Sequence, residues 1–256
     1  MKIATWNVNS IRARLERALA WLARQQPDIV CLQELKCVDD AFPADALRQA
    51  GYHSAVHGQK TYNGVAVLSR AEPAHVEVGL SDDIDDPQAR LIGAEVAGVR
   101  VLSAYVPNGA VVGSDKYAYK LEWLLRLREH LDRRCEPSQP LILCGDFNVA
   151  RFDDEVASPD QWAGTVLCHQ AARDALEQVR QWGFVDVFRE HHPQGGLYSW
   201  WDYRAGAFHR NDGLRLDHIL ATEPLAARCT AAEVDRDERK GTKPSDHAPV
   251  LAAFQD

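Results

Sequence analysis

Residues 141–148 read Leu-Ile-Leu-Cys-Gly-Asp-Phe-Asn, four apolar residues that give way at once to a glycine, a carboxylate and an amide. A short apolar run bounded by turn formers predicts a β-strand. Before it, Tyr117, Leu121, Leu124 and Leu131 recur at helical spacing, and Pro140 marks the break between helix and strand. The same alternation extends outward in both directions. Towards the N-terminus, Ile3–Val8 predicts a strand. Ile11, Leu15, Leu19 and Leu22 then predict a helix that starts after Ser10 as its cap and ends before Pro27. Strands are expected at 28–33, 52–56, 64–69, 91–96 and 99–106, the last two joined by the turn Ala97-Gly98. Towards the C-terminus come a polar loop over 149–164, a helix over 171–182 and short strands at 198–201, 216–221 and 249–254. Strands and helices interleave with no low-complexity linker and no repeat, the pattern of one layered α/β domain over residues 1–256.

Composition narrows the class. The chain has 256 residues, 46% of them hydrophobic, enough for a substantial core. No apolar run approaches the roughly 20 residues that span a bilayer. The opening MKIATWNVNS lacks the layout of a signal peptide, so a cytoplasmic protein with no membrane association is expected. The six cysteines contain no Cys-x-x-Cys pair and predict neither a zinc knuckle nor a disulfide framework. A net charge of −8 argues at first sight against a nucleic-acid partner. A bound cation and a local basic rim can nevertheless dominate the field that a substrate meets.

The chemistry sits at strand ends. Asn7, Glu34, Asn108 and the pair Asp146 and Asn148 each follow an apolar run, and Tyr105 lies within the run that leads to Asn108. Asp217 opens Asp-His-Ile-Leu-Ala, and Ser245-Asp246-His247 opens Ala-Pro-Val-Leu-Ala-Ala-Phe. If those last two strands run antiparallel to the others, all these side chains gather at one edge of the sheets. Taken singly, each has a plainer reading. Asn7 suits a turn or a cap, and Gly-Asp-Phe-Asn suits a turn. Glu34 is harder to explain in that way, because a carboxylate after an apolar strand is costly unless paired or bound to metal. Together they point to an active site in which Asp246 orients His247 and keeps it protonatable.

WNVNSIRAR, CLQELK, GQKTYNGVAVLSR, YVPNG, LCGDFNVA, YSWWDYR, GLRLDHILA and KPSDHAPV, in that order, resemble the motifs of the exonuclease III family of apurinic/apyrimidinic endonucleases, within the endonuclease/exonuclease/phosphatase superfamily. The likeness runs from Lys2 to Phe254. It implies a four-layer α-β-β-α sandwich, two facing mixed β-sheets flanked by helices. It also implies a Mg²⁺-dependent nuclease, with Mn²⁺ as substitute ion, acting as a monomer on double-stranded DNA with abasic sites or 3' ends.

Residue by residue, the resemblance makes Glu34 the principal metal ligand, with Asn7 beside it and Asp146, Asn148 and Asp246 completing the metal set. Tyr105, Asp146, Asn148, Asp217, Asp246 and His247 become the catalytic group. Asn108 contacts phosphate, Arg90 and Lys116 contact the DNA backbone, and Trp200, Leu214 and Leu216 line a pocket for an extruded sugar. The implied reaction is in-line attack of water on phosphorus, leaving a 3'-hydroxyl. Asp146 activates the water and His247 stabilises phosphoryl charge, or the two exchange these tasks. The acid-rich segment 150–170 departs from the family pattern and leaves the balance of endonuclease and exonuclease activity open. Two alternatives share the fold: a phosphoinositide or sphingomyelin phosphodiesterase, and a non-catalytic RNA-associated regulator.

Overall fold

The structure, a computed structural model, describes residues 1–255 and contains twelve strands. They are β1 (Lys2–Asn7), β2 (Ile29–Gln33), β3 (His53–His57), β4 (Val65–Ser69), β5 (Ala74–Val78), β6 (Leu91–Val96), β7 (Val99–Tyr105), β8 (Leu141–Asp146), β9 (Phe184–Asp186), β10 (Asp217–Thr222), β11 (Cys229–Val234) and β12 (Val250–Phe254). They form two six-stranded sheets, in the orders β11-β12-β1-β2-β4-β3 and β5-β6-β7-β8-β10-β9. Each sheet is mixed. One parallel pair, β1 with β2 or β7 with β8, sits among antiparallel neighbours.

The period of two along the strands builds the layers. Ile3, Ile29, Cys31, Val65, Val67, Ile92, Val101, Ile142, Cys144, Ile219 and Val250 share the core between the sheets. Their alternates face outward. Ala4, Trp6, Val30, Leu32, Ala66 and Leu68 pack under α1 (Leu15–Gln25) and α2 (Ala44–Gln49). Leu102, Ala104, Leu141, Leu143 and Leu220 pack under α3 (Asp115–Arg134), α4 (Pro159–Trp162) and α5 (Gln170–Arg180). The short helices α6 (Val187–His191), α7 (Ala207–Arg210) and α8 (Glu223–Ala226) connect the later strands. This is the expected four-layer arrangement.

Several local expectations are corrected. Ser10 does not cap α1, which begins at Leu15 with no side-chain cap. The Ser10 and Ile11 amides instead donate to the carbonyls of Glu34 and Leu35, tying that turn to the loop after β2. The strand expected at 198–201 is reduced to isolated bridges, Trp200 with Leu214 and Trp200 with His247. Strands β5, β9 and β11 have no counterpart in the sequence reading. β5 is largely exposed, and β9 has only three residues, so neither carries a clear buried pattern. The acids of the 150–170 segment are mostly paired: Glu155 with Arg215, Asp153 with Arg173 and Asp154 with Arg189.

Candidate active site

The antiparallel condition is met. β10 runs against β8 with Asp217 directly opposite Asp146, and β12 runs against β1, so the turn that precedes it brings Asp246 and His247 to the same edge. Gly145 is required immediately before Asp146. Its φ is +153°, and a Cβ there would lie 1.8 Å from the Ala104 carbonyl oxygen in the parallel neighbour β7.

Asp146 is the meeting point. The Asn7 amide donates to Asp146 Oδ2 at 2.9 Å and to Glu34 Oε1 at 2.8 Å, holding the carboxylates of the two sheets together. Asp146 Oδ1 accepts the backbone N–H of Asn148 at 2.9 Å. Asn148 takes a left-handed φ of +50°, which Asn tolerates. Its amide donates to the Val106 carbonyl at 3.0 Å, and its Oδ1 accepts from Asn108 at 3.1 Å. Tyr105 donates to Glu34 Oε1 at 2.9 Å, and burial beside Glu34 and Asp146 raises its pKa well above the ordinary range. Glu34 itself sits at φ +53°, a sparsely populated conformation for a residue with a long side chain. Below, Gln33 donates to Thr5 and Ser103, both at 3.1 Å, bridging the sheets under the site.

His247 Nδ1 lies 2.8 Å from Asp217 Oδ2, and its Nε2 lies 3.6 Å from Asp146 Oδ2. The expectation that Asp246 orients the imidazole is therefore corrected. Asp246 accepts from Asn9 at 2.9 Å and from the Trp200 indole at 3.0 Å. The bend at Asp246 turns its carboxylate to Asn9 and Trp200 and leaves the ring of its neighbour to Asp217. Asp217 is held in turn by Ser199, whose hydroxyl accepts both the Leu216 and Asp217 amides at 3.0 Å.

The electrostatics follow from this packing. Burial opposes a charge on His247, but the carboxylates of Asp217 and Asp146 outweigh it and raise the pKa to about 10. Burial raises Asp146 to about 7; the His247 charge opposes that rise and Asp217 adds to it. Asp246 is shifted down despite burial by the His247 charge and its bonds to Asn9 and Trp200.

Ligand atoms of Glu34, Asp146 and His247 lie within 4.8 Å of one another. A cationic imidazole has no lone pair to give, so the donors suited to a hard cation are the carboxylate oxygens of Glu34 and Asp146. Lys36 places its ammonium 2.8 Å from Glu34 Oε2 and 2.6 Å from Asn9 Oδ1, so this carboxylate already faces a cation. The donor set fits a divalent ion such as Mg²⁺. Asp246 is linked to Glu34 through Asn9 and Lys36 and stands outside this donor set. Asn9 and Lys36 lie within WNVNS and CLQELK, but a polar side chain in a turn carries no signal of its own before the turns are brought together.

The substrate-side expectations divide. Trp200 lines an open cleft of about 500 Å³ with Asn108, Val111, Trp162, Val166 and Arg204, and meets Trp162 edge to face at 5.7 Å between ring centroids. Leu214 and Leu216 are fully buried in the core behind it and do not line that cleft. Arg90 is not a surface cation. It is buried over the Tyr105 ring at 4.8 Å, donates to the Tyr105 carbonyl at 3.1 Å and buttresses that residue from behind. Lys116 stands exposed in the first turn of α3.

Comparison with known proteins agrees with this construction. Residues 4–247 match the endonuclease/exonuclease/phosphatase family. Exodeoxyribonuclease III of Haemophilus influenzae is 34% identical, with 100% of each chain covered. An AP endonuclease from Archaeoglobus fulgidus superposes with a TM-score of 0.97 at 44% identity, covering 100% of both chains. A 3' phosphatase from Neisseria, solved bound to a product DNA hairpin, gives 0.96 at 44% identity, covering 100% of this chain and 99% of the other. With the matched region spanning almost the whole sequence and the strand-edge carboxylates assembled in one place, the chain belongs to the endonuclease/exonuclease/phosphatase family, on its exodeoxyribonuclease III branch.

Proposed function

We propose that this DNA-repair nuclease hydrolyses phosphodiester bonds of double-stranded DNA at abasic sites and 3' ends, with Mg²⁺, or Mn²⁺ in its place, held by Glu34 and Asp146. The observation that carries the reading is the convergence of Glu34, Asp146 and His247 from both sheets, with Asn7 bonded to both carboxylates and the imidazole set between Asp217 at 2.8 Å and Asp146 at 3.6 Å. A carboxylate with a pKa of about 7 faces an imidazole with a pKa of about 10. At neutral pH the first can accept a proton from water while the second keeps its own.

Asp146, fixed by Asn7 and by the Asn148 amide, orients the attacking water and takes its proton. His247 Nε2 is too far from Asp146, at 3.6 Å, for a hydrogen bond and is free to donate to a non-bridging phosphoryl oxygen. Asp217 holds the ring as a cation for that task. Tyr105 and Asn7 orient Glu34. When bound, the cation supplies charge neutralisation at the phosphate and the leaving 3' oxygen. Asn148, bonded to Val106, holds the Asn108 amide beside the site, where its second N–H can reach the phosphate, and Trp200 lines the cleft that takes the adjoining sugar.

The site is assembled from one chain and both sheets, consistent with action as a monomer and as one domain. The cysteines are free thiols, and no helix among the described residues is long and apolar enough to cross a membrane, in keeping with a reducing cytoplasmic setting. Initial rates with pure protein on an abasic-site duplex, a recessed 3' end and a 3'-phosphate end test the reading, with Asp146→Asn as control. Cleavage of at least one substrate that requires Mg²⁺ is expected. No cleavage of any of them would overturn it.

A further inference from the structure

Lys120 lies on α3, one turn beyond the exposed Lys116, and its side chain is completely buried. Its ammonium donates to three backbone carbonyls: Asn108 at 3.1 Å, Asn148 at 2.7 Å and Val166 at 2.7 Å. Three donors meet three acceptors, so the group is fully satisfied without a carboxylate partner. The acceptors come from three different segments: the loop after β7, the loop after β8, and the connection that forms one wall of the Trp200 cleft. The helix carrying the lysine is anchored by Leu124, Leu127 and Leu131 in the core under the second sheet. A rigid element thus reaches through a single cation into the turn of Asn148, whose backbone N–H holds Asp146, and the turn of Asn108, whose side chain bonds Asn148. Gly109 leaves room for the stem, since a Cβ there would lie 3.1 Å from Lys120 Cδ.

We propose that Lys120 is a positioning residue for phosphodiester hydrolysis, setting the distance between the Asn108 and Asn148 turns and the near wall of the cleft. The inference rests on reading Asp146 and Asn148 as the reaction centre. A buried lysine serving stability alone could satisfy any nearby carbonyls. This one bonds the backbone of the residue whose amide N–H holds Asp146 and of the residue whose side chain bonds Asn148. Replacing the ammonium with an apolar group would leave three buried carbonyls unpaired and free these turns to drift.

The test compares wild type, Lys120→Met, Lys120→Gln, Lys120→Arg and, as a stability control, Leu127→Ala, which removes core packing from the same helix. Steady-state kinetics on a recessed 3' end are measured well below each Tm. Lys120→Met is expected to lose about 10²-fold in kcat with KM nearly unchanged, as displacement of a reacting group by about 1 Å does. Lys120→Gln falls between it and wild type, and Lys120→Arg restores most of kcat. Leu127→Ala lowers Tm but keeps kcat. Wild-type kcat in a folded Lys120→Met, or in Lys120→Gln if the methionine variant does not fold, would overturn the inference. So would an equal kcat loss in Leu127→Ala. An inactive wild type would instead overturn the nuclease reading and this inference with it.

Discussion

His247 and Asp217 are 30 positions apart in the chain and 2.8 Å apart at the site, with Nδ1 of the ring against a carboxylate that has no exposure to solvent. That contact is the hydrogen bond made by the Asp217 side chain, and it pairs the acid with the charge on the ring. Removing that charge should therefore reach the reaction through His247. Asp217→Asn is expected to lower kcat by about 10²–10⁴-fold, the range seen when a buried acid behind a catalytic imidazole becomes an amide. Asp246→Asn, which alters bonds to Asn9 and Trp200 instead, should cost less. Equal losses in the two variants would refute the assignment of Asp217 as the partner of the imidazole.

The two shifted pKa values define a pH window. Activity requires Asp146 as carboxylate and His247 as cation. It should therefore rise as pH increases through about 7 and fall as pH increases through about 10. A divalent cation at Glu34 and Asp146 favours the ionised acid, so the acid limb should move to lower pH as Mg²⁺ is raised. In Asp217→Asn the alkaline limb should move to lower pH, because a carboxylate that holds the proton on His247 is gone. A pH–rate profile whose alkaline limb does not move in this variant would contradict the scheme.

Tyr105 orients Glu34 through a hydrogen bond to Oε1 at 2.9 Å. Tyr105→Phe should raise the Mg²⁺ concentration needed for half-maximal rate by about 10-fold or more, as loss of a group that orients a ligand does. Excess EDTA should abolish the wild-type rate and added Mg²⁺ restore it. A Mg²⁺ titration indistinguishable between the variant and wild type would show that the hydroxyl does not serve the ligand.

Gly145 tolerates no side chain. Gly145→Ala drives a methyl to within 1.8 Å of the Ala104 carbonyl at a φ of +153°. The strand must shift, at a cost of about 3 kcal/mol in stability, and Asp146 shifts with it. Urea unfolding with a midpoint unchanged from wild type would show that the strands absorb the methyl.

Arg215 is buried between Glu155 and Asp186, with Nε 3.1 Å from Glu155 and a terminal nitrogen 2.7 Å from Asp186. Arg215→Met leaves two buried carboxylates without this partner and is expected to lower stability by about 3–5 kcal/mol. Arg215→Met with Glu155→Gln should recover part of the loss. Denaturant unfolding of the single and double variants measures both effects, and a stability loss unchanged by the second substitution would rule out this charge balance as the cause.

The sequence by itself determined the strands that lead to Asn7, Glu34 and Asp146, because buried runs broken by a carboxylate or amide are visible locally. It determined the helices α1, α3 and α5, whose apolar spacing is regular. Its motifs were sufficient to suggest the family. Tertiary structure decided the partners. Asp217 reaches His247 because β10 pairs antiparallel with β8 in the register that sets Asp217 opposite Asp146, and no local pattern encodes a register between strands some 70 residues apart. Arg90 turns inward to buttress Tyr105, and Leu214 and Leu216 lie behind the cleft, because each lies on a segment packed from both sides. Lys36, Asn9 and Lys120 acquire their roles only when separate loops meet. Interaction energies that fix a site depend on distances across the fold, whereas sequence patterns report only the burial and backbone preference of each segment.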